Sequence, residues 1–81
     1  MIRSSEKRSM RLSGHRTSVA LEPLFWAALE QLAFMRGVSV PTLCAMIDNT
    51  RLESQSLASA LRCAALQYAI DTAQKAQRVA A

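Results

Sequence analysis

The stretch 15-HRTSVALEPLFW-26 decides the fold. From Arg16 to Leu21 the side chains alternate. Thr17, Val19 and Leu21 fall on one side of an extended chain, and Arg16, Ser18 and Ala20 fall on the other. One face is apolar and β-branched, the other small or hydrogen-bonding. Pro23 then suits the first turn of a helix, where a missing N–H has no intrahelical partner to lose. The segment predicts a short strand running directly into a helix.

Downstream, Phe25, Leu29, Leu32 and Ala33 recur at helical spacing, with Trp26 beside them and available to a further element. Gly37 is the expected left-handed stop after Arg36. Ser39 reads as the N-cap of a second helix from Val40 to about Asn49, with an apolar stripe of Val40, Leu43, Cys44 and Ile47. The polar run 49-NTRLESQS-56 is a loop, and Ser56 caps a third helix to about Gln77. Leu57, Leu61, Ala64, Ala65 and Tyr68 form the stripe of that helix, and its many alanines permit close approach to a neighbour.

Upstream, a weak alternation from Ser9 to Leu12 stops at Gly14. That leaves an earlier extended segment open, but the expectation is one strand per chain, preceded by a flexible basic arm over residues 1–14. A lone strand exposes unpaired backbone groups that must be paired or covered. The simplest partner is the same strand of a second copy, antiparallel about a two-fold axis. The fold class expected is mainly α with one short strand, as an intertwined homodimer sharing a two-stranded ribbon. Thr17, Val19, Leu21, Phe25, Leu29, Leu43 and Ile47 are its expected dimer core. The chain divides as arm 1–14, strand and two helices 15–50, and loop plus third helix 51–81.

Composition agrees with such a domain. Half of the 81 residues are apolar but few are aromatic, so the core is Leu, Ala, Val, Ile and Met. A chain this short sits near the size at which one core is marginal, which also favours an oligomer. Charge is concentrated at the front. Residues 1–16 carry Arg3, Lys7, Arg8, Arg11 and Arg16 against Glu6, whereas cations and acids balance over 17–81. The whole net charge of +4 therefore lies in the leading segment, which suggests a polyanionic partner. No run approaches the roughly 20 apolar residues of a membrane span. Cys44 and Cys63 both sit in apolar helical patterns and read as buried free thiols of a reducing cytoplasm. With a single histidine there is no metal-ligand cluster, no nucleophile–base pair and no phosphate loop. Neither an enzyme nor a cofactor is expected.

In the alternating strand 16-RTSVAL-21, the helix 24-LFWAALEQLAFMR-36 and the turn 37-GVSV-40, the sequence resembles the ribbon-helix-helix family of bacterial DNA-binding proteins, the Arc/MetJ/CopG type. The run 14-GHRTSVALEP-23 is similar to the subgroup with an additional C-terminal helix. The resemblance implies a dimeric ribbon inserted into the DNA major groove, which is wide enough for one. Arg16, Ser18 and Ala20 would then face base edges, with Ala20 limited to a thymine methyl. It also implies that Ser39 and Val40, at the start of the second helix, hold a DNA phosphate. Arg11, Arg8 and Lys7 of the arm, with His15, would contact the flanking backbone. Glu22 departs from the family's usual Ser or Thr cap.

The function expected is a cytoplasmic, sequence-specific transcriptional regulator acting as a repressor on double-stranded DNA. In this family pairs of dimers often line adjacent half-sites. The alternative is an antitoxin-like or adaptor module whose C-terminal helix binds a protein partner.

Overall fold

Ser13 and Gly14 both take positive φ, 52° and 83°, and that pair redirects the chain. Two consecutive left-handed residues are what a type I′ two-residue hairpin turn requires, and its backbone twist matches the twist of the flanking strands. The computed structural model describes residues 4–80, so residues 1–3 and 81 of the terminal segments lie outside the described residues. It places a strand β1 at Glu6–Leu12 antiparallel to a strand β2 at His15–Leu21, with Leu12 opposite His15 and Glu6 opposite Leu21. Three helices follow: α1 (Pro23–Arg36), α2 (Val40–Thr50) and α3 (Leu57–Ala80).

The mainly helical ribbon-helix-helix architecture with a third helix is as expected. The source of the second strand is not. Residues 6–12 are a strand in place of part of a flexible arm, and the ribbon closes within one chain. The physical reason is Arg8, an inward-facing cation that breaks the apolar alternation of β1 yet finds partners inside. Its guanidinium lies 4.5 Å from the Trp26 ring centroid and bonds Glu6 at 2.7 Å and Glu30 at 3.0 Å. A cation held over an aromatic face is favourable, and the stem of the side chain packs as an apolar group.

The inward side of the hairpin otherwise supplies Met10, Leu12, Val19 and Leu21, all buried. They meet Trp26, Leu29 and Ala33 of α1, Leu43 and Cys44 of α2, and Leu61 and Ala65 of α3 in one cluster. Trp26 is 1 % exposed, and its indole N–H donates to the Glu6 carbonyl at 2.8 Å. It is the α1 residue that receives the hairpin. Phe25 and Leu32, expected on the buried stripe, are only half-buried, as are Thr17 and Ile47. The residues expected to form a dimer core thus pack largely in the core of one chain.

The helix ends follow their chemistry. Gly37 closes α1 at φ 71°, its N–H donating to the Ala33 and Phe34 carbonyls. The Ser39 hydroxyl accepts from the Thr42 N–H at 3.2 Å, and Ser56 does the same for Ser59 at 3.1 Å. At the start of α1, Glu22 makes no side-chain cap; its carboxylate accepts from Arg62 of α3 at 3.0 Å. That bond holds the Glu22 carboxyl below its usual pKa. Cys44 is buried and its thiol is pushed up to about 11 by burial, so it stays protonated. Cys63, expected inside, is exposed on the outer side of α3.

Replacing Trp26 measures the docking of ribbon on helix. Trp26→Ala is expected to cost about 3–5 kcal/mol in urea unfolding, as large aromatic truncations in cores do. Trp26→Phe keeps most of the ring but orphans the Glu6 carbonyl, for about 1 kcal/mol more than the lost area. A loss below about 0.5 kcal/mol for the alanine variant, the size of an ordinary surface change, would contradict this packing.

Candidate nucleic-acid interface

Because side chains alternate across a strand, the register that buries Met10, Leu12, Val19 and Leu21 fixes what the other face presents. Lys7 stands opposite Ala20, Ser9 opposite Ser18, and Arg11 opposite Arg16. All six are exposed. The Ser9 and Ser18 hydroxyls meet at 3.0 Å in the middle of the face. Three cations, two hydroxyls and a methyl occupy it, with no carboxylate among the six.

Arg11 and Arg16 are the informative pair. Like charges directly opposite each other on an antiparallel pair are destabilising. Neither guanidinium has an ion-pair partner among the described residues, whereas Arg8, Arg51 and Arg62 each hold a carboxylate. The hairpin therefore concentrates positive potential at its turn end, on a surface that an anion would relieve.

The residues singled out from the sequence are sorted by this geometry. Arg16, Ser18 and Ala20 share the outer face, and Lys7 and Arg11 join them there as ribbon residues in place of arm residues. Ser9 was missed, although its alternation with Lys7 and Arg11 was legible. Arg8 is a correction: it points inward and is neutralised by Glu6 and Glu30, so it leaves the set of phosphate contacts. His15 lies at the turn end, opposite the buried Leu12.

A cleft of about 350 Å³ opens under the turn, lined by Ser13, His15, Arg16, Asp48, Asn49 and Arg51 among others. It joins the ribbon tip to the C-terminal end of α2. Arg51 is fixed there by Asp48 at 2.6 Å and by the Gln55 carbonyl at 2.7 Å. Ser39 and Val40 lie at the opposite end of α2, about 16 Å away at the usual helical rise. The Ser39 hydroxyl also donates to Thr42 Oγ1 at 2.9 Å. Among the described residues no group of three His, Cys, Asp or Glu side chains is placed to hold a metal ion, and no helix is long and apolar enough to cross a membrane.

A family model described as a ribbon-helix-helix domain matches residues 5–69, from the start of the hairpin into the middle of α3. A search of curated proteins and a search of solved structures each returned no significant match.

The inward and outward cations should separate in stability measurements. Arg8→Ala is expected to cost about 1 kcal/mol through its lost contact with Trp26. Lys7→Ala should stay within about 0.5 kcal/mol of the parent. Arg11→Ala should be neutral or slightly stabilising, since it removes the repulsion with Arg16. A destabilising Arg11→Ala beside a silent Arg8→Ala would reverse the two faces.

Proposed function

The chain belongs to the ribbon-helix-helix family, whose members are in general DNA-binding regulators of transcription and antitoxins, not enzymes, and from that membership we propose that it is a sequence-specific DNA-binding repressor. The observation that carries the reading is the outer ribbon face, with its unneutralised Arg11–Arg16 pair and no acid among its six side chains. A two-stranded ribbon fits the major groove, and here one chain supplies both strands.

In this reading Arg16 makes bidentate contacts to guanine and Ser18 donates or accepts at a base edge. Ala20 touches a thymine methyl. Lys7 and Arg11 neutralise backbone phosphates beside the groove, with His15 as a polar contact at the turn. The N–H groups of Ser39 and Val40, at the positive end of the α2 dipole, are the second proposed phosphate anchor. The protein acts as a homodimer, and occupancy of promoter DNA suffices for repression without a further domain.

A second reading is favoured by one feature of α3. Its first half is core, with Ala60, Leu61 and Ala65 buried, but Leu66 and Ile70 face outward and are exposed. An antitoxin-like role, in which this distal surface docks a protein partner, would use it. Such a partner should be lost in Leu66→Glu with Ile70→Glu while DNA binding remains.

Fluorescence anisotropy on a duplex from the protein's own upstream region tests the leading reading. Arg16→Ala should weaken specific binding by about 1–3 kcal/mol and relax preference at one base position. Lys7→Ala should weaken all duplexes alike and lower the salt slope by about one unit. Unchanged affinity in both variants would remove the ribbon from the interface.

A further inference from the structure

The two strands of the hairpin repeat each other. Aligned at a nine-residue offset, 6-EKRSMRL-12 and 15-HRTSVAL-21 share the Ser at their fourth position and the Leu at their seventh, with the same pattern of exposed and buried residues. Antiparallel pairing of such strands creates a local two-fold within one chain. It passes between Ser9 and Ser18, which stand opposite each other, and it relates Lys7 to Arg16 and Arg11 to Ala20. On the outer face only the pair at the axis has the same residue on both strands. Both serines are exposed, and their hydroxyls lie 3.0 Å apart, either able to donate to the other. Lys7, Arg11 and Arg16 flank them with longer side chains that can reach past them to the walls of a groove.

Two hydroxyls carry two protons, and the bond between them uses one. The serine that donates this bond keeps free lone pairs, and the serine that accepts it keeps a free O–H. Toward a ligand the pair is therefore one acceptor beside one donor, the pattern by which Asn or Gln recognises adenine. In the major groove adenine is the base that offers the complement, its N7 accepting and its N6 amino group donating. Guanine presents two acceptors, N7 and O6, so the pair would have to break its own bond to supply a second proton.

We infer that Ser9 and Ser18 act as one unit that reads an adenine near the guanine read by Arg16, which makes Ser9 a specificity-determining residue. The inference rests on the DNA-binding reading above and names the base at the centre of the recognised element. Because either serine can be the donor, the unit has no fixed polarity, and the adenine can lie on either strand of the duplex. A lone serine takes a donor or an acceptor alike and selects no base.

In vitro selection from a randomised duplex library, with the full chain at about 0.15 M salt, tests this. The parent is expected to enrich A·T or T·A over G·C by about 10-fold at one fixed position near the Arg16 guanine. Ser9→Ala should lose that preference and keep the guanine one, whereas Ser9→Thr, which retains the hydroxyl, should keep both. On the selected duplex, 7-deazaadenine at that position removes the N7 acceptor and leaves base pairing intact. It should weaken the parent at least about 5-fold and Ser9→Ala less than about 2-fold. A hydroxyl pair that only ties the strands together would instead lower the melting temperature of Ser9→Ala and leave the base preference unchanged, and that result overturns the inference. So does a G·C preference at the position, or a parent that tolerates 7-deazaadenine. In each of these cases a guanine preference that Arg16→Ala abolishes leaves the DNA-binding reading standing. Selection of no sequence at all removes that reading and the inference with it.

Discussion

The placement of the ribbon depends on Trp26. Its ring is buried against the inner side of the hairpin, its N–H holds the Glu6 carbonyl at 2.8 Å, and Arg8 covers its face at 4.5 Å. These contacts tie β1 to α1 at the open end of the hairpin, while Ser13 and Gly14 close the other end. With both ends fixed, the register cannot slip by a residue without exposing Leu21 and burying Arg16. The core demands that register, and the register alone decides which side chains face outward.

Function enters as the residue of that constraint. A small domain must bury what apolar surface it has, so one side of each strand goes to the core. The outward side is then free of packing demands, and its composition reports another pressure. Two arginines opposite each other, neither of them ion-paired to a carboxylate among the described residues, are unfavourable for folding. They make sense on a surface whose ligand brings negative charge. The outer stripe of α1 is the corresponding feature in apolar surface: Leu24, Phe34 and Met35 stay exposed and contribute nothing to the core.

Much of this was legible in the sequence. The helices carried their own punctuation in Pro23, Gly37, Ser39 and Ser56, and α1 and α2 end within a residue of the expected positions. The alternation of β2 showed its inner and outer sides, which is why Arg16, Ser18 and Ala20 were assigned to the outer one, where the structure has them. The hairpin was the failure. A Ser-Gly pair between two seven-residue extended segments is a recognised turn signal, but Arg8 on the inner side made β1 look irregular. Its cation–aromatic pairing with Trp26 is a tertiary contact that no local pattern displays. Cys63 was misplaced for a related reason: α3 continues past the core, and periodicity does not say where along a helix packing ends.

The strand pairing can be tested most directly by nuclear Overhauser contacts in a mixed sample. Isotope-labelled and unlabelled protein would be unfolded together, refolded, and examined with and without an interchain filter. Pairing within one chain predicts α-proton contacts between Ser9 and Ser18 and between Lys7 and Ala20 that vanish when only interchain contacts are selected. Contacts that survive the filter, or residues 15–21 facing their own counterpart in place of residues 6–12, would contradict it.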